Sequence, residues 1–165
     1  SPLKRRVVSC LNLEMDKTPE QIKQICIASI RRKSRNLEKW KFTGLFDDLE
    51  KSQKEIILNS NVLEKGESPI AYTFFSRDYW NLLTTRRLIE IRNKTVKFVM
   101  GKEIQSHHFG DFKNTKESDR TTIALLKTNG EKMNFEIETG DASMVMIYGI
   151  KYLEIGHNEI KHVGN

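Results

Sequence analysis

Apolar residues recur at helical spacing near the start of the chain. Thr18 can cap a helix there, because Pro19 lacks the N–H that a first turn leaves unpaired and Glu20 places negative charge at the positive end of the helix dipole. Residues 7–15, before this helix, form a short strand candidate. The predicted apolar face of the helix consists of Ile22, Ile25, Cys26, Ser29 and Ile30.

A second helical pattern runs from about Leu45 to Asn59, after a connection at residues 36–44 that carries enough apolar side chains to be packed. Acidic residues crowd the first turns of this helix and lysines follow them, which is the favourable charge order along a helix dipole. The predicted apolar stripe consists of Leu45, Leu49, Ser52, Ile56 and Ile57.

From Glu64 onward the apolar pattern changes to alternation, which predicts strands separated by turns. The clearest turn is Asn129-Gly130, which fits a two-residue type I′ hairpin. That turn would pair Leu126 with Met133 and Ala124 with Phe135, and would place Lys127 opposite Lys132. The six strand candidates are residues 70–75, 82–92, 95–100, 103–109, 121–128 and 131–138.

A last helix, capped by Asp141, is predicted for residues 142–155 and is apolar on most sides, so it must be largely buried. Residues 156–165 have no regular core pattern and are expected to fray. Because no helices alternate with the strands, a doubly wound sheet is excluded. The predicted fold is α+β: a mainly antiparallel curled sheet or partly open barrel, capped by the C-terminal helix, with N-terminal helices packed on it.

Composition indicates a globular protein, with 38% hydrophobic and 30% charged residues, and no apolar run approaches the roughly 20 residues that span a bilayer. The length of 165 residues favours a single domain. The two cysteines, Cys10 and Cys26, are expected to be core thiols in a reducing compartment, so the expected location is the cytoplasm.

The net charge of +6 is concentrated at the N-terminus. Residues 1–41 contain 11 Lys and Arg against 4 Asp and Glu, a net of +7, and residues 42–165 contain 17 against 18, a net of −1. The densest cationic stretch comprises Arg31, Arg32, Lys33 and Arg35. This stretch is a candidate surface for nucleic acid or an anionic membrane.

Three phrases, "VLEKGESPIAY", "LLTTRRLIEI" and "EIQSHHFGDF", are followed by the Asn-Gly hairpin and the apolar helix. In this order they resemble the bacterial branch of the pleckstrin-homology-like fold, close to the GRAM domain. In that family a Thr-x-x-Arg-Leu-Ile phrase marks a strand entering the sheet, and here Thr84, Arg87, Leu88 and Ile89 take its places. The resemblance covers residues 45–155, leaving residues 1–44 as an N-terminal extension and 156–165 as a tail.

The resemblance also bears on anion binding, because wider members of the fold hold phosphoinositides with Lys and Arg flanking the loop between the first two strands. Here that loop, residues 76–80, has one cation, Arg77, next to Asp78. Within the strand predicted for 82–92, Arg86 and Arg87 would point to opposite faces. We expect Arg87 to be structural, paired with a helix or loop carboxylate, while Arg86, like Arg77, is a weak candidate anion ligand.

Catalytic chemistry has one candidate phrase, "HHFGD". His107 and His108 point to opposite faces of a strand, so only one of them could converge with Asp111 on a metal or a substrate. The sequence has no Gly-rich phosphate loop, Ser-His-Asp phrase or paired CxxC. We therefore expect no enzyme, no metal and no cofactor.

The leading functional hypothesis is a non-enzymatic binding or adaptor module that recognises a protein partner or an amphiphilic or anionic ligand. The first alternative is binding of nucleic acid or an anionic membrane by the basic helix end at residues 31–35. The second alternative is a metal-dependent or acid/base enzyme around His107, His108 and Asp111. The sequence leaves the identity of the partner and the state of self-association open.

Overall fold

The structure is a computed structural model that describes residues 17–34, 40–110 and 120–163, with side chains as far as residue 153. The first helix, α1, spans Pro19–Lys33. Thr18 caps it as predicted, because its hydroxyl accepts the Gln21 N–H at 3.2 Å and the Gln21 side chain accepts the Thr18 N–H at 3.0 Å. The strand candidate at residues 7–15 and Cys10 lie outside the described residues.

The buried face of α1 differs from the predicted one. Ile25 is 38% exposed, whereas Ile27 and Lys23 are buried beside Cys26 and Ile30. The reason is that the Lys23 ammonium reaches the Asp47 carboxylate at 2.8 Å, so its aliphatic stem can be covered while its charge stays paired. The helix is therefore turned so that Lys23 and Ile27, instead of Ile25, complete its inner face.

The second predicted helix is shorter than expected. Strand β1 spans Thr43–Leu45, a 3₁₀ turn covers Phe46–Asp48, and helix α2 spans Lys51–Asn59. Residues 43–45 pair with the following strand, beginning with Thr43 opposite Thr73. The prediction of one long helix failed because the apolar residues at positions 45, 46 and 49 are buried in a strand and in the turn after it. Their spacing along the sequence is the same as on one face of a helix, so the pattern alone does not distinguish the two structures.

Within the described residues, eight strands form two unclosed antiparallel sheets. The five-stranded sheet has the order β1-β2-β3-β4-β5, where β2 is Pro69–Ser76, β3 is Tyr79–Thr84, β4 is Arg87–Arg92 and β5 is Thr95–Met100. The three-stranded sheet has the order β6-β7-β8, with strands Ile104–Phe109, Arg120–Lys127 and Lys132–Glu138. The predicted α+β class with antiparallel strands is confirmed.

The long strand predicted for residues 82–92 is in fact two strands. Thr84 ends β3, and its hydroxyl accepts the backbone N–H groups of Arg86 and Arg87, each at 3.1 Å. A threonine hydroxyl that bonds backbone amides two and three residues ahead closes a tight turn. Arg86 therefore lies in a turn and Arg87 begins β4, so the prediction that both project from one strand is wrong.

The Asn129-Gly130 hairpin has a different loop from the predicted one. The Lys127 carbonyl accepts the Gly130 N–H at 3.0 Å, the Lys127 N–H meets the Glu131 carbonyl at 2.8 Å, and Gly130 has φ of 89°. This is a three-residue loop that ends in a left-handed glycine. The register shifts by one residue, so Met133 pairs with Leu125, and Lys127 now forms a 3.1 Å ion pair with Glu131.

The C-terminal helix α3, Ser143–Val163, follows a 3₁₀ turn at Gly140–Ala142 and continues through most of the segment predicted to fray. Its apolar side chains share one core with α1 and with both sheets. At Gly149 the helix approaches β3 so closely that an added Cβ would lie 2.2 Å from Leu83. The members contributed by α3 are Val145, Met146, Ile147, Ile150 and Leu153.

Candidate binding surface at strand β5

The outer face of the five-stranded sheet is covered unevenly. Helix α2 and the 3₁₀ turn cover it over β2 and β3, where a second core forms. Strand β5 lies at the far edge of this sheet, three strands from β2. The members of the second core are Phe46, Leu49, Ile57, Phe74, Trp80 and Leu82.

The strand register shows where this cover ends. One cross-strand row runs from Trp80 to Ile91 to Val96, and side-chain exposure rises along it from 1% at Trp80 to 49% at Val96. A second row runs from Leu82 through Ile89 to Phe98, which is 44% exposed although its two neighbours are fully buried. The apolar layer thus extends past its cover and ends in two exposed side chains on β5.

The backbone of β5 also has an open side. The β4–β5 connection is a two-residue turn with Asn93 and Lys94 at φ of 50° and 66°, and the Gly101 N–H bonds the Arg86 carbonyl at 2.8 Å. Because hydrogen-bonded and non-bonded pairs alternate in an antiparallel ladder, the N–H and C=O groups of Val96 and Phe98 point away from β4. Among the described residues, β5 pairs with β4 alone.

We call this region the β5 edge surface: the side chains of Val96 and Phe98 together with their outward backbone groups. The next outward amide, that of Met100, is already bonded to the Glu103 carboxylate at 3.1 Å. The edge surface therefore ends at the 3₁₀ turn that starts at residue 101.

Charge around the β5 edge surface is net positive, because four cations lie beside two carboxylates, Glu90 and Glu103. Residues 92–102 include four cations and no Asp or Glu. Arg92 lies over the Tyr79 ring at 4.6 Å, and Lys97 pairs with Glu90 at 3.0 Å. Lys94 and Lys102, at the two ends of β5, are exposed.

Arg87 lies beneath this surface and is paired. Its guanidinium binds the Glu67 carboxylate at two points, 2.7 Å and 2.9 Å, and the Phe98 ring lies 4.9 Å from it. Burial acts to raise the pKa of Glu67, but hydrogen bonds from Arg87 and Thr84 outweigh it and hold that pKa below its ordinary value. The charge of Arg87 is thus neutralised by Glu67, and its side chain contacts both Phe98 and the loop at residues 62–67.

The other candidate cations lie on separate elements. Arg77 is in the β2–β3 turn and Arg86 in the β3–β4 turn, at opposite ends of β3 and so roughly 20 Å apart for a six-residue strand. Arg77 lines a shallow cavity of about 450 Å³ beside α2, together with Ser52, Glu55, Ile56, Asn59 and Ser60. The geometry does not bring Arg77 and Arg86 to one anion site.

The basic end of α1 is partly described. Arg31, Arg32 and Lys33 are all exposed in the last helical turn, where cations suit the helix dipole. Arg35 lies outside the described residues. The side chains present a cationic helix end, as the sequence indicates, with no aromatic residue of α1 beside it for base stacking.

A polar layer between the sheets was missed by the sequence reasoning. The buried Asn81 amide donates to the Glu136 carbonyl, and Lys97 donates to the Asn134 carbonyl, so side chains of the larger sheet satisfy backbone groups of β8. The Tyr79 hydroxyl binds Glu136 at 2.7 Å, and burial together with this hydrogen bond raises the pKa of Tyr79. The sequence contains one indication of this layer: Asn81 is a polar residue inside the otherwise apolar strand "YWNLLT".

The histidine region offers no metal cluster in the described part of the chain. His107 is half-buried and stacked on Phe109 with ring centroids 4.4 Å apart, while His108 is exposed, as strand alternation predicts. No group of three His, Cys, Asp or Glu side chains within residues 17–34, 40–110 and 120–153 could hold a metal ion. Asp111 lies outside the described residues.

None of the helices in the described ranges is both long and apolar enough to cross a membrane. The chain matches no protein-family model. Nor does any curated protein match it. The arrangement of its own residues therefore carries the functional argument.

Proposed function

We propose that this protein is a non-catalytic binding module of the pleckstrin-homology-like type that recognises a protein partner through the β5 edge surface. The observation that carries the proposal is the rise in exposure along the two apolar rows that end at Val96 and Phe98. Two exposed apolar side chains that continue a buried layer are typical of an interaction surface, whereas scattered single ones are not. The two antiparallel sheets and the C-terminal helix are the arrangement that the family resemblance implies.

A protein partner fits this surface better than a free anion does. The predicted anion ligands that lie in the described residues are on three separate elements: the end of α1, the β2–β3 turn and the β3–β4 turn. They therefore form no single phosphate site. The β5 edge surface instead combines apolar side chains, flanking lysines and ladder positions that no strand of the described residues pairs. Protein interfaces combine an apolar centre with a polar rim in this way.

Site-specific photo-cross-linking in cells tests the proposal. A benzophenone side chain replaces Phe98 in one variant and Leu126 in a matched control, because Leu126 is a strand residue of similar exposure, 36%, on the other sheet. We expect a discrete protein adduct from position 98 that position 126 does not give, and the protein identified in that adduct should bind the purified chain. Absence of any adduct specific to position 98, or failure of the purified proteins to bind, would refute the proposal.

A second candidate function is supported by the exposed cations at the end of α1, which could attract nucleic acid or an anionic membrane. Replacement of Arg31, Arg32, Lys33 and Arg35 by Gln would then lower retention on heparin, DNA and anionic vesicles, with a steep salt dependence in the parent chain. Unchanged retention in all three assays would dispose of this candidate. The cross-linking from position 98 should not respond to these four substitutions.

A further inference from the structure

We propose that the partner of the β5 edge surface supplies an extended, acidic segment that adds as a strand to β5, with apolar and acidic residues in alternation. This inference rests on the proposed function and specifies how the partner is recognised. Three observations carry it: the open backbone side of β5, the positions of Val96 and Phe98, and the charge of residues 92–102.

The backbone observation selects an extended segment over a helix. Outward N–H and C=O groups at Val96 and Phe98 recur at every second residue, which is the spacing that a further strand satisfies. Sheet edges in natural proteins are usually protected by short strands, by lysine or proline, by bulges or by a covering segment. Strand β5 carries one lysine, Lys97, whose charge is paired with Glu90 at 3.0 Å. In the described chain, Glu103 blocks the position after Phe98 by binding the Met100 amide, and Val96 and Phe98 are left with open outward groups.

The side-chain positions select alternation. A strand beside β5 would place every second side chain on the outer face, next to Val96 and Phe98, and cross-strand apolar neighbours stabilise pairing there. The intervening side chains of the added strand would lie on the same face as the half-buried Lys97. The outer positions of the partner are therefore apolar and the inner positions are suited to carboxylates.

Charge decides between an acidic partner and a second copy of this chain. Residues 90–103 contain four cations, Arg92, Lys94, Lys97 and Lys102, against two carboxylates, Glu90 and Glu103, which is a net charge of +2. Antiparallel pairing of β5 with β5 of another copy would bring the Lys94 end of one strand to the Lys102 end of the other, and like charges facing each other destabilise a sheet. An acidic segment instead meets a strand of net positive charge, with the exposed Lys94 at one end.

The probe is a synthetic peptide of about nine residues that alternates valine or isoleucine with glutamate, long enough to span the six residues of β5. Its binding to the full chain is measured by fluorescence anisotropy. Controls are the same peptide with lysine for glutamate and two N-methylated forms. One form carries N-methyl groups at odd positions and the other carries them at even positions.

The N-methylated pair isolates backbone pairing from composition. Each form carries four methyl groups, because the first residue is left unmodified, and the two forms have similar backbone restriction. In strand addition, however, only one set of amides faces β5. We expect one form to lose at least about tenfold in affinity while the other binds nearly as well as the parent peptide, since roughly 1.4 kcal/mol corresponds to tenfold. We expect the lysine peptide to bind at least about tenfold more weakly, with the difference shrinking as salt is raised.

Variants of the protein provide the matching test. Val96→Pro removes an outward amide without breaking the ladder to β4, whereas Val96→Thr keeps that amide and a similar shape. We expect Val96→Pro to abolish peptide binding and Val96→Thr to weaken it only several-fold, with both variants folded by circular dichroism. If Val96→Pro fails to fold, the parity of the N-methylated peptides still decides the question.

Each other result contradicts the inference in its own way. Equal loss from both N-methylated forms, or no binding of the acidic peptide, excludes strand addition by an acidic segment. A dimer of the chain alone that Val96→Pro disrupts would assign β5 to self-association. Binding to vesicles containing phosphatidylserine that requires Phe98 would assign it to a membrane. If the cross-link from position 98 persists in any of these cases, the proposed function stands and only the mode of recognition fails.

Discussion

Glu67 and Arg87, 20 residues apart, form a buried ion pair in which Nε–Oε2 is 2.7 Å and Nη2–Oε1 is 2.9 Å. The Thr84 hydroxyl lies 2.8 Å from the same carboxylate, and Arg87 also donates to the Val62 carbonyl. One guanidinium therefore joins the loop at residues 62–67 to the start of β4. This connection fixes the loop against the sheet on which the β5 edge surface is built.

Removal of one partner of this pair should destabilise the fold strongly. We expect Arg87→Ala to lower the free energy of unfolding by about 3 kcal/mol, because Glu67 would stay buried without its counter-charge. Urea denaturation followed by tryptophan fluorescence measures the change. Arg86→Ala, one residue away but exposed in a turn, is the matched control and should change stability by less than about 0.5 kcal/mol. Equal effects of the two substitutions would contradict the structural role of Arg87.

The Glu67 carboxylate should make stability depend on pH in the acid range. Its pKa is lower in the folded chain than the ordinary value of 4.5, so the unfolded chain binds the proton more readily. The stabilisation is therefore complete above about pH 4.5 and declines as the pH falls through the folded pKa. Urea midpoints between about pH 7 and about pH 3 should fall less steeply in Glu67→Gln than in the parent chain. Parallel curves would show that Glu67 contributes no proton linkage.

Local sequence rules predicted the fold class because period and capping are encoded by near neighbours. The Thr18 cap, the change to alternation after Glu64 and the apolar last helix each follow from residues a few positions apart. The inner face of α1 did not follow, since Lys23 is buried only because Asp47 reaches it from another element. A contact across 24 residues leaves no periodic trace.

Turn chemistry explains two errors of the prediction: the undivided strand at residues 82–92 and the register of the Asn129-Gly130 hairpin. Thr84 can continue a strand or close a turn, and only its hydrogen bonds to the following amides decide the outcome. Asn129-Gly130 can fill a two-residue loop or end a three-residue one, and both keep Gly130 in the left-handed region. The choice moves the register by one residue, so the buried face of β7 carries Ile123 and Leu125 instead of the predicted Ala124 and Leu126, while Phe135 of β8 is buried as predicted.

The candidate surface was not predictable from the sequence because it depends on where one sheet stops. In the sequence, neither "TVKFVM" nor "EIQSHH" looks more edge-like than the other strand candidates. Strand β5 becomes an edge because the 3₁₀ turn at residues 101–103 directs β6 into the other sheet. The exposure of Val96 and Phe98 follows from that topology and not from their immediate neighbours.

Cys26 should be an unreactive thiol in the folded chain. It is 1% exposed, and burial raises its pKa to about 12, so little thiolate exists at neutral pH. In a Cys10→Ser background, we expect Ellman's reagent at about pH 8 to label Cys26 at least about a hundredfold more slowly in buffer than in denaturant. Rapid labelling of the native chain would indicate that α1 leaves the core on the time scale of the reaction.

Gly149 and Leu83 should be energetically coupled. A Cβ at position 149 would lie 2.2 Å from the Leu83 Cδ2 atom, closer than two carbons can approach, so Gly149→Ala must displace α3 or the leucine. We expect Gly149→Ala to cost about 2 kcal/mol despite the better helix propensity of alanine. Leu83→Ala alone should cost about 3 kcal/mol through the cavity that it leaves.

The double variant distinguishes overpacking from a general effect on the helix. When Leu83 is already alanine, the methyl group added at position 149 enters space that the leucine side chain occupied, so the second substitution should cost little. The loss of stability in the double variant should therefore be smaller than the sum of the two single losses by at least about 1 kcal/mol. Ser143→Ala, on the first turn of the same helix, where the serine hydroxyl donates to the Gly140 carbonyl, provides a control that should add independently to Leu83→Ala. Additive costs for Gly149→Ala and Leu83→Ala would mean that α3 does not rest on β3 at this position.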